Sequence, residues 1–152
     1  MSDPIVAGSI AGIIGATVKA VISHAFFLVG VTNLSSLHHA QRIVFHQAAS
    51  LTGLNLLMSF IAFIACGGMV GVFLAYIYVF AGRDYGYYKG AGFGVVSYFL
   101  LLQMIYPLVQ PGLDLPQTGA TVATLFATHI VYGLVSAHIL LKYADLPDRR
   151  LA

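Results

Sequence analysis

Four apolar runs, at about 5–31, 53–81, 90–110 and 118–143, contain not one aspartate or glutamate. At 1.5 Å of rise per residue, each is long enough to cross roughly 30 Å of hydrocarbon as a helix. A strand left alone in lipid cannot satisfy its backbone, so all four runs are expected to be helical. Of the 152 residues, 59% are hydrophobic and 8% charged, with a mean hydropathy of +0.90, which removes the chain from the soluble globular class. The expected fold is all-α: an integral-membrane four-helix bundle in a single transmembrane domain over 1–152. The few ionisable groups form no basic patch with interleaved aromatics, which excludes nucleic-acid binding. The first run lacks a basic leader segment and exceeds a signal peptide's apolar stretch, so it reads as a retained helix.

The joints agree with these spans. Thr32-Asn33 follows the first, Gly82-Arg83-Asp84 the second, and Pro111-Gly112-Leu113-Asp114-Leu115-Pro116 separates the third from the fourth in a tight hairpin. Pro107 is expected to kink or fray the last turn of the third helix, because its ring clashes with the preceding turn and it lacks an amide hydrogen. Arg83, Lys89, Lys142, Arg149 and Arg150 fall on the side of the termini and only Arg42 on the other, so the termini are expected to be cytoplasmic. Tyr85, Tyr87 and Tyr88 read as interfacial anchors at that boundary. Between the first two spans, residues 34–48 have the pattern of a short external interfacial helix. Leu34, Leu37, Val44 and Ala48 share one face, and Ser35, His38, His39, Arg42 and His46 form a solvated opposite face.

Lys19 stands near the middle of the first span. A cation at that depth costs roughly 3 kcal/mol on insertion scales and normally faces a bundle interior or a cavity. The stripe Gly8, Gly12, Gly15 leads by helical steps to Lys19 and Ser23, which places Lys19 on the packed face if the stripe marks a contact inside the bundle. Similar small-residue stripes, Gly67, Gly68 and Gly71 in the second span, Gly90 and Gly94 in the third and Gly133 in the fourth, suit a compact bundle or a homodimer. A weak repeat aligns Gly8, Gly12 and Gly15 with Gly90, Gly94 and Ser97. Gly71, Ala75 and Ile77 align with Gly133, Ala137 and Ile139 in the same way. Two helical hairpins in one orientation is the arrangement this implies.

Counting inward from the outer ends, Lys19 and His129 lie at roughly equal depth. They nominate an interior polar cluster of Lys19, Ser23, His24, His129 and Tyr132, extended by Asn55 and Ser59. The cluster supports a proton or small-solute path. It equally supports a structural role, with the lysine donating to carbonyls and the histidines bonding across helices. His24 and His129 would also suit an axial haem pair, a weaker reading. His38, His39 and His46 have the residue type of a metal site, but a solvated helix face explains them better, and no metal is assigned. Cys66 is alone, so no disulfide or paired-cysteine site is available. No phosphate loop, His-Glu-x-x-His or nucleophile elbow is present, so no catalytic residue is assigned and no enzyme is expected.

Ala11-Gly12-Ile13-Ile14-Gly15 with Val18-Lys19, the segment Gly71 to Tyr76, Tyr88-Lys89-Gly90 with Gly94, and His129-Ile130-Val131-Tyr132-Gly133-Leu134 together resemble small four-span bacterial membrane proteins of the YqhR and YagU groups. The resemblance covers most of the chain and implies a four-helix fold in the bacterial inner membrane. It carries no activity, cofactor or ligand. The expectations are therefore a membrane protein that binds or conducts a small solute or proton as a homo-oligomer, an accessory subunit docked on partner membrane subunits, or a haem-binding electron carrier.

Overall fold

The computed structural model describes residues 1–45, 51–109 and 117–146. Helix α1 covers Pro4–Leu28, α2 Ser36–Phe45, α3 Gly53–Ala81, α4 Gly86–Tyr98, α5 Tyr106–Val109 and α6 Gly119–Tyr143. A π-helical stretch, Phe99–Ile105, joins α4 to α5 and completes the third span. The described residues are all-helical in their regular structure, and four segments are long and apolar enough to cross a membrane: Pro4–Leu28, Gly53–Ala81, Gly86–Leu108 and Gly119–Tyr143. That architecture is compatible with a multi-pass membrane protein.

Local chemistry sets the helix ends. Asp3 caps α1 by accepting from the amides of Ile5 and Val6 at 2.7 and 3.0 Å, just before Pro4 at the first turn. Thr118 caps α6 by accepting from the Thr121 amide at 3.2 Å. At the opposite ends, Lys89 donates to the carbonyls of Ala81 and Gly82, both at 2.8 Å, and Arg83 donates to those of Leu140 and Leu141. These cations close the C-termini of α3 and α6, where free carbonyls and the helix dipole favour positive charge. The third span begins at Gly86, four residues before the expected start, because this capping lets the chain turn within 82–85. Tyr85 and Tyr88 are well exposed, whereas Tyr87 reaches the Nδ1 of His138 at 3.0 Å.

The bundle is small inside and large outside. Ala7, Gly8, Ala11, Gly12, Gly15 and Ala16 are the buried face of α1, while Ile5, Val6, Ile13, Ile14 and Val21 are exposed. Shedding bulk inward lets backbones approach, as in helices that associate in lipid, where apolar burial between helices gives no advantage over contact with acyl chains. A Cβ at Gly71 would strike the Gly8 carbonyl and the Gly12 backbone, and one at Gly133 would strike the Gly90 carbonyl and the Gly94 amide. The stripes are therefore contacts within this chain: α1 on α3, and α4 on α6. Gly15 meets Ser136 and Tyr132, joining the two pairs through α1 and α6. The third span and α3 barely touch.

Two expectations change. Pro107 was expected to disturb the last turn, but the departure from α geometry lies upstream of it: the amide of Tyr106 bonds to the carbonyl of Leu101, five residues back. Proline removes the α-type donor to Gln103, and the register widens over the preceding turns. Helix α2 does not lie with a solvated face outward. It packs on α3 and α1 and buries Ser36, Leu37, His39, Ala40 and Gln41. The expected apolar face fails too, since Val44 is exposed. His46, Ala48, the 111–116 hairpin, Arg149 and Arg150 lie outside the described residues.

Candidate functional site

Lys19 sits at the end of the small-residue face of α1, 6% exposed. Its Nζ lies 2.6 Å from Nε2 of His129 on α6. The other ring nitrogen, Nδ1, lies 2.7 Å from the carbonyl oxygen of Leu125. A carbonyl only accepts, so this network assigns the proton to Nδ1 and leaves Nε2 as a lone pair that accepts from Lys19. The imidazole is thus neutral. Tyr98 holds the ring edge-on at 5.3 Å between centroids, and the Lys19 Nζ stands 5.1 Å from the centroid of Phe63. One of the three ammonium donors is used on His129, and no carboxylate exists in any span to neutralise the charge.

The pair heads a cavity of about 240 Å³ lined by Ser36 and His39 of α2, Phe63 and Cys66 of α3, Leu101, Leu102 and Ile105 of the π stretch, and Tyr106 of α5. A smaller space of about 50 Å³ adjoins it beside Cys66, Ser97 and Tyr132. Both ring nitrogens of His39, Oγ of Ser36 and Oη of Tyr106 are buried without a hydrogen-bond partner. Each such group costs about 1–3 kcal/mol. Arg42 lies close to the Tyr106 hydroxyl, but no hydrogen bond of normal geometry joins them. His39 and Tyr106 meet edge-to-face at 5.1 Å. Burial, reinforced by the charges of Lys19, His38 and Arg42, pushes His39 down to about 4, so it is neutral at pH 7.

Of the remaining sequence candidates, Tyr132 lines the smaller space together with Lys19 and His129, and the others have different partners. Ser23 is buried and accepts from the Ser36 amide at 2.8 Å, pinning the first turn of α2 to α1. Tyr132 donates to the Gly67 carbonyl at 2.7 Å, tying α6 to α3. Ser59 donates to the Asn55 carbonyl of its own helix at 2.7 Å. His24 does not join Lys19: its Nδ1 lies 3.5 Å from Ser35 Oγ, and it lines a separate cavity of about 350 Å³ with Leu37, Leu56 and Phe60. His24 and His129 consequently face different spaces, and both nitrogens of His129 are engaged, so they make no axial pair. His38 bonds to Ser35 at 3.0 Å while His39 turns inward, so these neighbours do not converge on a metal.

The residue range 2–150 matches the model of a family of unknown function, DUF6789. The chain belongs to that family. The match supports an uncharacterised protein family and does not extend to the likeness with the YqhR and YagU groups. No curated protein and no solved structure matches the chain.

Sequence reasoning missed Ser36, Tyr106 and Phe63, read His39 as part of a solvated face, and noted Cys66 only as a lone cysteine. For α2 a signal existed: Ser36 and Ala40, four apart and both small, mark the face that approaches other helices, and His39 flanks it. Tyr106 beside Pro107 carried no comparable signal, because its inward aim depends on the π register.

Proposed function

We propose that this DUF6789 protein is a membrane-embedded binding protein, not an enzyme, and that it holds a small ligand in the cavity headed by Lys19 and His129. One observation carries the reading. Of the four described residues with buried side-chain atoms lacking a partner, Thr32, Ser36, His39 and Tyr106, three line this one cavity. Buried polar groups are ordinarily paired, and a cluster of unpaired ones facing shared space describes a site whose partner is another molecule.

The accessory-subunit reading loses its main support, because Gly8, Gly12, Gly71, Gly90, Gly94 and Gly133 are spent on contacts within the chain. Conduction has a weaker basis than binding, since Lys19 and His129 are engaged with each other. We place the protein in a bacterial inner membrane with cytoplasmic termini, on the charge bias of the sequence, which puts α2 and the polar end of the cavity toward the outside. Self-association is part of the proposal.

The test is native mass spectrometry of protein extracted with its surrounding lipid. Wild type is expected to retain a non-covalent small-molecule mass that Lys19→Met lacks. Bare chain mass for both proteins, with equal bulk-lipid adducts, would end the reading.

A further inference from the structure

We infer that the ligand is a bilayer-borne oxyanion, a carboxylate or phosphate head on an acyl chain, which enters sideways between α3 and the third span. The inference rests on the cavity being a binding site and adds what it binds.

The polar groups facing the cavity offer several hydrogen-bond donors that are not spent among the described residues. Lys19 has two ammonium donors beyond the one given to His129, and Ser36 and Tyr106 each offer a hydroxyl. His39, neutral at pH 7, offers one N–H and one acceptor nitrogen. Lys19 is buried, Arg42 stands at the Tyr106 side, and no span contributes a carboxylate. A ligand oxyanion supplies both: several acceptor lone pairs for converging donors, and a countercharge that no span provides. A cationic or purely apolar occupant would supply neither. Water would supply acceptors and no charge.

The cavity's mouth sets the rest of the molecule. Ile43 of α2, Cys66 of α3 and Ile105 of the π stretch are exposed at its rim, in the gap where α3 and the third span barely touch. An apolar rim on the outer wall of a membrane bundle opens to acyl chains, not to water. The volume of about 240 Å³ accommodates roughly eight water-sized groups, which is a head and the first few methylenes. The remaining chain would leave through the rim into the bilayer.

Cys66 is the only cysteine in the chain and lies at that rim, so its alkylation reports occupancy without any engineered label. Delipidated protein in a non-ionic detergent is titrated with oleate, dioleoyl phosphatidic acid, oleyl alcohol or oleylamine, and the rate of Cys66 modification by a maleimide is followed. Oleate, phosphatidic acid or both are expected to slow the reaction at least about tenfold, and the better of the two identifies the head. Lys19→Met and the milder Tyr106→Phe are expected to weaken that protection, with unchanged elution and an unchanged helical circular dichroism spectrum at the assay temperature serving as the folding control. Equal protection by the alcohol, or stronger protection by the amine, overturns the oxyanion assignment while leaving the cavity occupied. If none of the four protects but Lys19-dependent ligand mass persists in native spectra, the ligand class is wrong and the binding reading stands. Failure of both measurements removes both.

Discussion

The α1–α3 pair and the α4–α6 pair are built alike and equipped differently. In each, one glycine seats between two on the facing helix: Gly71 against Gly8 and Gly12, Gly133 against Gly90 and Gly94. The repeat seen in the sequence therefore corresponds to a repeated contact. Carried along the same register, Lys19 of the first pair faces a counterpart in Leu101, and His129 of the second faces a counterpart in Gly67. The hydrogen bond between Lys19 and His129 joins one exceptional residue from each pair. Packing was duplicated and polarity was not, which separates what holds the bundle from what the bundle holds.

The largest expected effect tests the duplicated part. Gly71→Leu and Gly133→Leu should each destabilise the fold by about 3 kcal/mol or more, since the clash is with backbone that cannot swing away. Thermal melting in detergent checks it. A large loss at one position and none at the other would break the equivalence of the two pairs.

The packing was legible in the sequence because small residues at helical spacing have a single physical use in lipid, close approach. Equal depth along two spans was enough to nominate His129 beside Lys19. The same counting put His24 in the cluster, because depth says nothing about rotation, and His24 points instead toward Ser35 and Leu56. Helix α2 was misjudged for a related reason. A polar side chain reads as solvated until it is known that the helix is docked, and the docking contact, Ser36 to Ser23, spans two elements that no local pattern connects. The π stretch was invisible because it expresses how Pro107 is accommodated by its neighbours and not what its residues prefer.

The second effect belongs to the first pair alone, which carries α2 between its helices. Undocked, His39 takes up a proton near its ordinary 6.5, and docked only near about 4. Between those values the undocked state binds more protons, so stability is full above about pH 6.5, falls as pH drops and levels off below about 4. The loss amounts to at most about 3 kcal/mol, with Lys19, His38 and Arg42 the charges that face the ring. Melting temperatures across pH 7.5 to 4.5 measure it, and His39→Leu should remove most of the slope. A wild-type melt indifferent to pH would contradict the buried neutral state.

Smaller again is Lys19→Met, which leaves Nε2 of His129 without its donor and should cost about 2 kcal/mol, while Leu101→Met at the corresponding position should cost under about 1.5 kcal/mol. Chemical denaturation of the two variants side by side would show whether the asymmetry is energetic as well as geometric. Gly92→Ala should have the smallest effect and the opposite sign. Its Cβ would meet open space, so the change should stabilise α4 by under about 1 kcal/mol, in contrast to loss of stability on Gly133→Ala.

The central claim is that the unpaired groups around Lys19 await a molecule from the membrane. A crystal structure grown from a lipidic mesophase, with protein never stripped of its native lipid, tests it most directly. The account predicts continuous density from Lys19 and His39 toward the rim at Cys66, with the Tyr106 hydroxyl directed at it. A cavity closed by its own side chains, or filled by water alone with Ser36, His39 and Tyr106 all satisfied, would contradict it.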